Sequence, residues 1–380
     1  MRRCGVQARG QVPAAWKPTS MNDEGENGMP EGSGIRLGIG ILAHNEAETL
    51  PVLVDSLFGQ SIFHRHLPSY ADIHVVCVPN GCTDATAEVV RAALKEHTNE
   101  LASRRVTWSV AELPSPGKAV AWNHCVHRLL AGYDYICVVD ADIMFAQDDT
   151  VHAVLSRLVD DPQACVASDM PLKRPGASIW SWLSRLSEFF SRVNPPGPTQ
   201  ICGQFYCARG SVLQSIWMPP GMPVEDGFLR AMVITNEFRQ SEDPRRIVRE
   251  SRVSHFFEPC QSVREIWHHK KRLVIGTALN SLLFRYLWQH AGANGAGQLL
   301  REQLERDPKW FSNFILEEVQ GQRWVVPMGH IPRQIRDLRA LPIRHAIRRA
   351  PFTLGSSVVE ALIALSANRT IKRGFGLGYW

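Results

Sequence analysis

The stretch Tyr135-Ile136-Cys137-Val138-Val139-Asp140-Ala141-Asp142-Ile143-Met144-Phe145 ends an apolar, β-rich run in two carboxylates one residue apart. A buried strand of a parallel sheet reads as a continuous apolar run, and open α/β sheets bind ligands just beyond the carboxyl ends of their strands. Asp140 and Asp142 therefore emerge where a substrate would bind. Adjacent hard oxygen donors suit Mg²⁺ or Mn²⁺, which bridge protein carboxylates to diphosphate oxygens. An isolated Asp-x-Asp is equally compatible with a solvated strand-to-loop turn, so the rest of the chain has to decide.

Upstream, strand and helix patterns alternate. Ile35 to Ala43 is an apolar run containing Gly38 and Gly40, and after His44-Asn45-Glu46 the apolar spacing predicts a helix over Ala47 to Gln60. Ile73 to Val78 reads as a strand, Pro79 to Asp84 as a turn and Ala85 to Glu96 as a helix, with Thr83 or Asp84 as N-cap. A third unit runs from the strand Val106–Ala111 through Pro114-Ser115-Pro116-Gly117-Lys118 to a helix over Ala119 to Leu130. Such alternation implies right-handed crossovers, a mainly parallel twisted sheet and helices on both of its faces. Three loops and the acidic pair then share one edge.

These pieces resemble, in order, the motifs of the family 2 glycosyltransferases with the GT-A nucleotide-sugar fold. Ala43-His44-Asn45-Glu46 matches the first-strand motif and Asn80-Gly81-Cys82-Thr83-Asp84 the second. Gly117-Lys118-Ala119 with Asn123 matches the third, followed by Asp140-Ala141-Asp142. Gly203 to Arg209 is similar to the segment behind the acceptor pocket, and Val224-Glu225-Asp226 to the Glu-Asp motif that supplies the base. The resemblance spans roughly residues 35 to 276 and implies a metal-dependent, inverting transferase using Mn²⁺ or Mg²⁺ and a nucleotide-diphosphate sugar.

The roles it implies are chemically coherent. Breaking the anomeric bond builds negative charge on a diphosphate, which a cation and fixed positive groups stabilise. Asp142 is expected to ligate the metal directly, and Asp140 to contact the ribose or a metal-bound water. Lys118, after a glycine at a helix start, would face phosphate or ribose oxygens unless it is an ordinary surface lysine. Ala43, Asn45, Glu46, Asn80 and Asp84 would border the base and ribose. The family usually carries acids where this chain has Pro79 and Asn80, which weakens the expected preference for UDP, although an amide still accepts from a uracil N–H. Asp226 would take the acceptor's proton while Glu225 orients it or binds the acceptor; alternatively both acids merely favour a helix N-terminus. His255, in Val253-Ser254-His255-Phe256-Phe257, is a further metal-ligand candidate or a satisfied core histidine. Arg272 fits a phosphate contact or a solvated basic face. In the segment from His269 to Gly276 the family's processive members have Gln and Trp where this chain has His269 and Leu273, which argues against a polymer synthase.

Composition sets limits. The 380 residues permit a sizeable core, and the net charge of +5 suits anionic substrates or a membrane surface, with no nucleic-acid motif. Nine cysteines, an odd count without a C-x-x-C pair, predict buried free thiols in a reducing cytoplasm. The expected organisation is a disordered tail over 1–34 without a signal-peptide pattern, a GT-A catalytic domain over 35–259 and a helical extension over 260–380. A long helix is expected from Ser262 to His290, and no segment is long enough to span a bilayer. Ser178 to Val193 and the basic stretch Arg333 to Arg349 are amphipathic, which fits peripheral contact with the inner membrane face or packing against protein. The acceptor is thus expected to be a saccharide or lipid-linked alcohol, such as a polysaccharide precursor. A nucleotidyltransferase is disfavoured because the first loop lacks a Gly-rich phosphate cradle; a non-catalytic scaffold is disfavoured because Lys118, Asp140, Asp142 and Asp226 are all present.

Overall fold

In the computed structural model, the first strand lies inside the parallel half of the sheet, sending Leu37, Ile39, Ile41 and Ala43 into one core and Leu42 into the other. The structure describes residues 34–64, 70–100, 106–174, 199–260, 262–327 and 343–374. The strands are β1 (Ile35–Ala43), β2 (Tyr70–Pro79), β3 (Val106–Val110), β4 (Tyr135–Asp140), β5 (Ile143–Phe145), β6 (Val166–Lys173), β7 (Phe205–Arg209) and β8 (Ile247–Phe257). The helices are α1 (Leu50–Phe58), α2 (Ser61–His64), α3 (Thr86–Glu100), α4 (Lys118–His124), α5 (Thr150–Asp160), α6 (Gly210–Ser215), α7 (Glu225–Ile234), α8 (Val263–His290), α9 (Ala296–Arg306), α10 (Trp310–Val319) and α11 (Ile343–Lys372).

The strands form one sheet in the order β3-β2-β1-β4-β7-β6-β8-β5. Pairing is parallel from β3 to β4, where each strand returns through a crossover helix. Beyond β4 the sheet is mixed: β7 lies antiparallel to both β4 and β6, β6 is parallel to β8, and β5 is antiparallel to β8. The side-chain period of two sends Val75, Cys77, Cys137 and Val139 into a core shared with α1, α3 and α5. Val76, Val78, Ile136 and Val138 enter the opposite core, which continues through Trp122, Phe228 and Met232 to Ile275, Leu279 and Leu283 of α8 and Phe311 of α10. One apolar cluster therefore joins the sheet to the C-terminal helices.

The helix expected over Ala119 to Leu130 is α4 followed by a π-helical turn, Cys125–Leu129. The cause lies in β1. A Cβ on Gly40 would stand 2.3 Å from Cys125 Sγ, and one on Gly38 would stand 2.8 Å from Leu130 Cδ2. The two glycines let this turn press directly on the strand. The long helix begins where expected: Ser262 caps it, its Oγ accepting from Glu265 N at 3.1 Å and donating to Glu265 Oε1 at 2.8 Å.

The expectation of free thiols throughout is corrected at one position. Cys137 and Cys207 face each other across the antiparallel β4–β7 pair, with Cα atoms 4.1 Å apart, and form a disulfide. That close, directly opposed placement is what antiparallel register supplies. Cys77, Cys125 and Cys165 are buried free thiols. Residues 1–33 and the amphipathic stretch Ser178 to Val193 lie outside the described residues, as does the part of the basic stretch Arg333 to Arg349 that precedes α11. Among the described residues, no helix is long and apolar enough to cross a membrane.

Candidate functional site

At the carboxyl end of β1 the chain turns through Asn45 with φ 56°. That left-handed conformation is tolerated by asparagine, whose short amide bonds locally. Asn45 Oδ1 accepts from Thr83 N at 2.7 Å, so this loop is tied to the one following β2. Asp84 makes a second tie, accepting from Ala47 N at 3.2 Å and from Thr86 N at 3.1 Å. Glu46 N donates to Thr86 Oγ1 at 2.8 Å, and Thr49 Oγ1 donates to Glu46 Oε2 at 2.6 Å. Burial lifts the Glu46 carboxyl above its ordinary range; the Thr49 bond partly offsets this, and the Asp142 and Asp84 charges add to it. Asn45 and Asp84 thus shape the predicted donor-binding edge by holding its loops together.

Asn80, fully buried, continues that edge. Its N–H donates to Ala43 O at 2.9 Å, and its Nδ2 donates to Ser115 O at 2.8 Å. Among the described residues, its Oδ1 has no hydrogen-bond partner. Satisfied donors beside an unsatisfied buried acceptor are uncommon, and each such atom calls for an explanation.

The centre of the site is an ion-pair node. Lys118 opens α4 directly after Gly117, whose φ of 149° lets the chain turn into the helix. Its Nζ lies 2.7 Å from Asp140 Oδ2 and 2.8 Å from Glu225 Oε1, with the three side chains only 17%, 19% and 15% exposed. Burial works against the Lys118 ammonium, but the two carboxylates outweigh it and hold the group above its usual range. Burial pushes the Asp140 carboxyl up to about 6, with Lys118 opposing and Asp142 reinforcing the shift. For Glu225 the same burial is overcome by Lys118, and its carboxyl sits below the ordinary range. The one lysine therefore cannot neutralise its surroundings.

Asp226 follows Glu225 in the first turn of α7 and accepts from Gly227 N at 2.7 Å. Burial first, and the Glu225 charge second, raise its carboxyl above the usual range. Its approach depends on Gly203, where a Cβ would lie 3.3 Å from Asp226 Cβ and 3.6 Å from Glu225 Oε1. Arg272 of α8 is half-buried and contributes positive charge to both Glu225 and Asp226. Two side chains without an assigned role in the sequence also set this loop. Asn123 brackets Met218 with Nδ2 to O at 2.8 Å and N to Oδ1 at 3.0 Å, and Asn280 Nδ2 donates to Val224 O at 3.2 Å. Asn123 belonged to a recognisable motif; Asn280, inside a long helix, carried no local signal.

The fold brings Glu46, Lys118, Asp140, Asp142, Glu225, Asp226 and Arg272 within electrostatic reach of one another in overlapping sets. His255 is fully buried: its Nδ1 lies 2.8 Å from Asp169 Oδ1, and its Nε2 lies 3.4 Å from Gln204 Oε1 and 4.0 Å from Cys202 Sγ. Burial disfavours its charge, but the Asp169 bond lifts it to about 9. Gln204 links this pair to the acidic edge, since its main-chain oxygen accepts from Asp140 N at 2.8 Å. Among the described residues, no three His, Cys, Asp or Glu side chains gather closely enough to hold a metal ion by themselves.

Residues 39–217 match the model of the glycosyl transferase family 2. The chain carries a family 2 glycosyltransferase domain. The matched segment contains Asn45, Glu46, Asn80, Lys118, Asp140 and Asp142 and stops before Glu225 and Asp226. In fold, the transferase is similar to a mannosyltransferase from Pyrobaculum calidifontis solved with GDP-Man and Mn²⁺. The TM-score is 0.51 and the identity 16%, covering 87% of each chain. A glucosyl-3-phosphoglycerate synthase from Mycobacterium tuberculosis, solved with Mn²⁺, UDP-Glc and phosphoglyceric acid, gives a TM-score of 0.44 at 16% identity over 67% of this chain and 80% of that one. A search of curated proteins finds no match.

Proposed function

We propose that this transferase moves a sugar from a nucleoside-diphosphate donor to an acceptor hydroxyl with inversion, using a divalent cation. The observation that carries the proposal is the Lys118–Asp140–Glu225 node, flanked by Asp142 and Asp226, beside the carboxyl ends of the parallel strands. The donor set fits a hard cation, because it is composed of carboxylate oxygens in excess over nearby cationic side chains. Asp142 would hold it directly, with Asp140 in support. Bound there, Mn²⁺ or Mg²⁺ supplies charge stabilisation to the departing diphosphate.

Asp226 acts as the base. Burial and the neighbouring Glu225 charge raise its carboxyl above the ordinary range, which makes it a better proton acceptor than an exposed aspartate. As the acceptor oxygen bonds to the anomeric carbon, its proton passes to Asp226, and the carbon–oxygen bond to the diphosphate breaks. Glu225, held by Lys118, fixes the start of α7 and thereby the position of Asp226. Arg272 adds positive charge on the donor side. The unpartnered Asn80 Oδ1 favours a base that offers an imide N–H, which supports the UDP class. The acceptor reading is a saccharide or lipid-linked alcohol, supported by the basic amphipathic stretches of the sequence.

A thermal-shift comparison of UDP-, GDP-, CMP- and dTDP-sugars, with and without Mn²⁺, tests this reading. A ligand at about 100 times its Kd stabilises by about 2.7 kcal/mol, enough to read. UDP-sugars should shift the melting temperature only with metal, and Asp142→Asn should lose that response while its ligand-free melting temperature is kept. Folded protein that responds to none of the nucleotides, or an Asp142→Asn variant that responds normally, refutes the proposal.

A further inference from the structure

Asn280 lies within α8 and is only 5% exposed. Its Nδ2 donates at 3.2 Å to the main-chain oxygen of Val224, the residue that opens α7. On the other side of the acidic pair, a Cβ on Gly227 would stand 3.2 Å from the same Nδ2. One amide therefore meets both residues that flank Glu225 and Asp226, by a hydrogen bond at Val224 and by close packing at Gly227. Gly227 N in turn donates to Asp226 Oδ1 at 2.7 Å, so the residue packed by Asn280 is the one that orients the carboxylate. Gly276, one turn earlier on the same face of α8, leaves room for Val224: a Cβ there would lie 2.2 Å from Val224 Cγ2. Among the described residues, Asn280 Oδ1 has no hydrogen-bond partner. A buried acceptor left unpaired costs stability, and an apolar side chain of similar size avoids that cost. The amide is thus a poor choice for packing alone and calls for another explanation.

We propose that Asn280 is a positioning residue for sugar transfer, fixing the Val224–Gly227 turn and through it the direction of the Asp226 carboxylate. The inference rests on Asp226 as the base of the proposed function. It gives α8, a helix beyond the sheet, a part in the reaction, since α8 seats the turn that carries the base. A base displaced by about 1 Å loses about a hundredfold in rate. Donor binding is left alone, because Asn280 touches none of the residues assigned to the donor or the cation.

The test follows nucleotide release by the full chain from UDP-, GDP-, CMP- and dTDP-sugars with Mn²⁺. With whichever sugar the wild type turns over, Asn280→Leu should lower kcat by about 10- to 100-fold and leave the donor KM within about twofold. Its melting temperature should stay within about 2 °C, because the unpaired acceptor leaves together with the donor. In an Asp226→Asn background the same change should cost less than about twofold, since a residue acting through Asp226 has nothing left to position. Asn280→Ala removes the amide without adding bulk and should give the same pattern where leucine prevents folding. Losses that multiply in the double variant overturn this inference alone, as does a normal kcat in Asn280→Leu beside an inactive Asp226→Asn. A wild type that turns over none of the sugars, or a fully active Asp226→Asn, sinks the base assignment and this inference with it.

Discussion

Replacing Lys118 with methionine keeps most of the side chain's volume and removes the positive charge shared by Asp140 and Glu225. Both contacts are short, at 2.7 and 2.8 Å, and all three groups are less than one-fifth exposed, so solvent screening gives little relief. Breaking a buried pair by deleting one partner costs about 3–5 kcal/mol, because the remaining charge stays desolvated. Unfolding entropy of about 2.1 cal/mol/K per residue over about 350 residues converts this to a fall of about 4–7 °C in melting temperature. The fall must also depend on pH. In the wild type, Asp140 holds its proton more tightly folded, at about 6, than at the ordinary value of 3.8. Its titration therefore contributes stability below 3.8 that is lost as pH rises through about 6. Without Lys118, the Asp140 carboxyl moves further up and the Glu225 carboxyl rises from its depressed position, so the variant gains stability as protons return to them. Differential scanning calorimetry from pH 8 to pH 5 should show the deficit shrinking as pH falls, and Lys118→Met/Glu225→Gln should recover part of it at pH 8. A deficit that is absent, or constant over that range, would show that the node does not hold the charges assigned to it.

Two substitutions probe the catalytic loop. Asp226→Asn should bind metal and donor normally and lose about 10²–10⁴-fold in turnover, read by nucleotide release in the presence of acceptor; normal transfer would remove Asp226 from its role. Gly276→Ala places a Cβ 2.2 Å from Val224 Cγ2 and 2.6 Å from its Cβ, immediately before Glu225 and Asp226. Overpacking of this kind costs about 1–3 kcal/mol, so the melting temperature should fall and turnover with it, while the donor-induced shift persists. An unchanged melting temperature would mean that α8 moves freely away from this loop.

The parallel half of the fold was legible because strands buried on both faces write themselves as continuous apolar runs. Ile35 to Ala43 is the observed β1 to the residue, and β4 begins at Tyr135 and ends at Asp140, directly before the loop that carries Asp142. The crossover helices followed from their 3.6-residue spacing, within a few residues at their ends. The π-helical turn after α4 did not, because it answers to contacts of Cys125 and Leu130 with glycines of a distant strand. The antiparallel return of β7 was equally silent in local pattern, and with it the pairing of Cys137 with Cys207. Each segment carried its own signal; register between segments far apart in the chain carried none.

The same distinction explains the site. Every charged residue of the node could be named from motifs, but which charge meets which is a property of three elements brought together by the sheet. Lys118 was expected to wait for phosphate, whereas here it is committed to Asp140 and Glu225. That commitment alters the electrostatics of the proposed reaction. A lysine already neutralised by two carboxylates has little charge left for a departing diphosphate, and the surrounding Glu46, Asp142 and Asp226 would repel it. On the proposed reading, the stabilisation then falls to the divalent cation and to Arg272. A donor binding without metal would have to pull Lys118 from its partners and leave them buried and unpaired, a penalty that makes metal-free donor binding the least favourable state of this site.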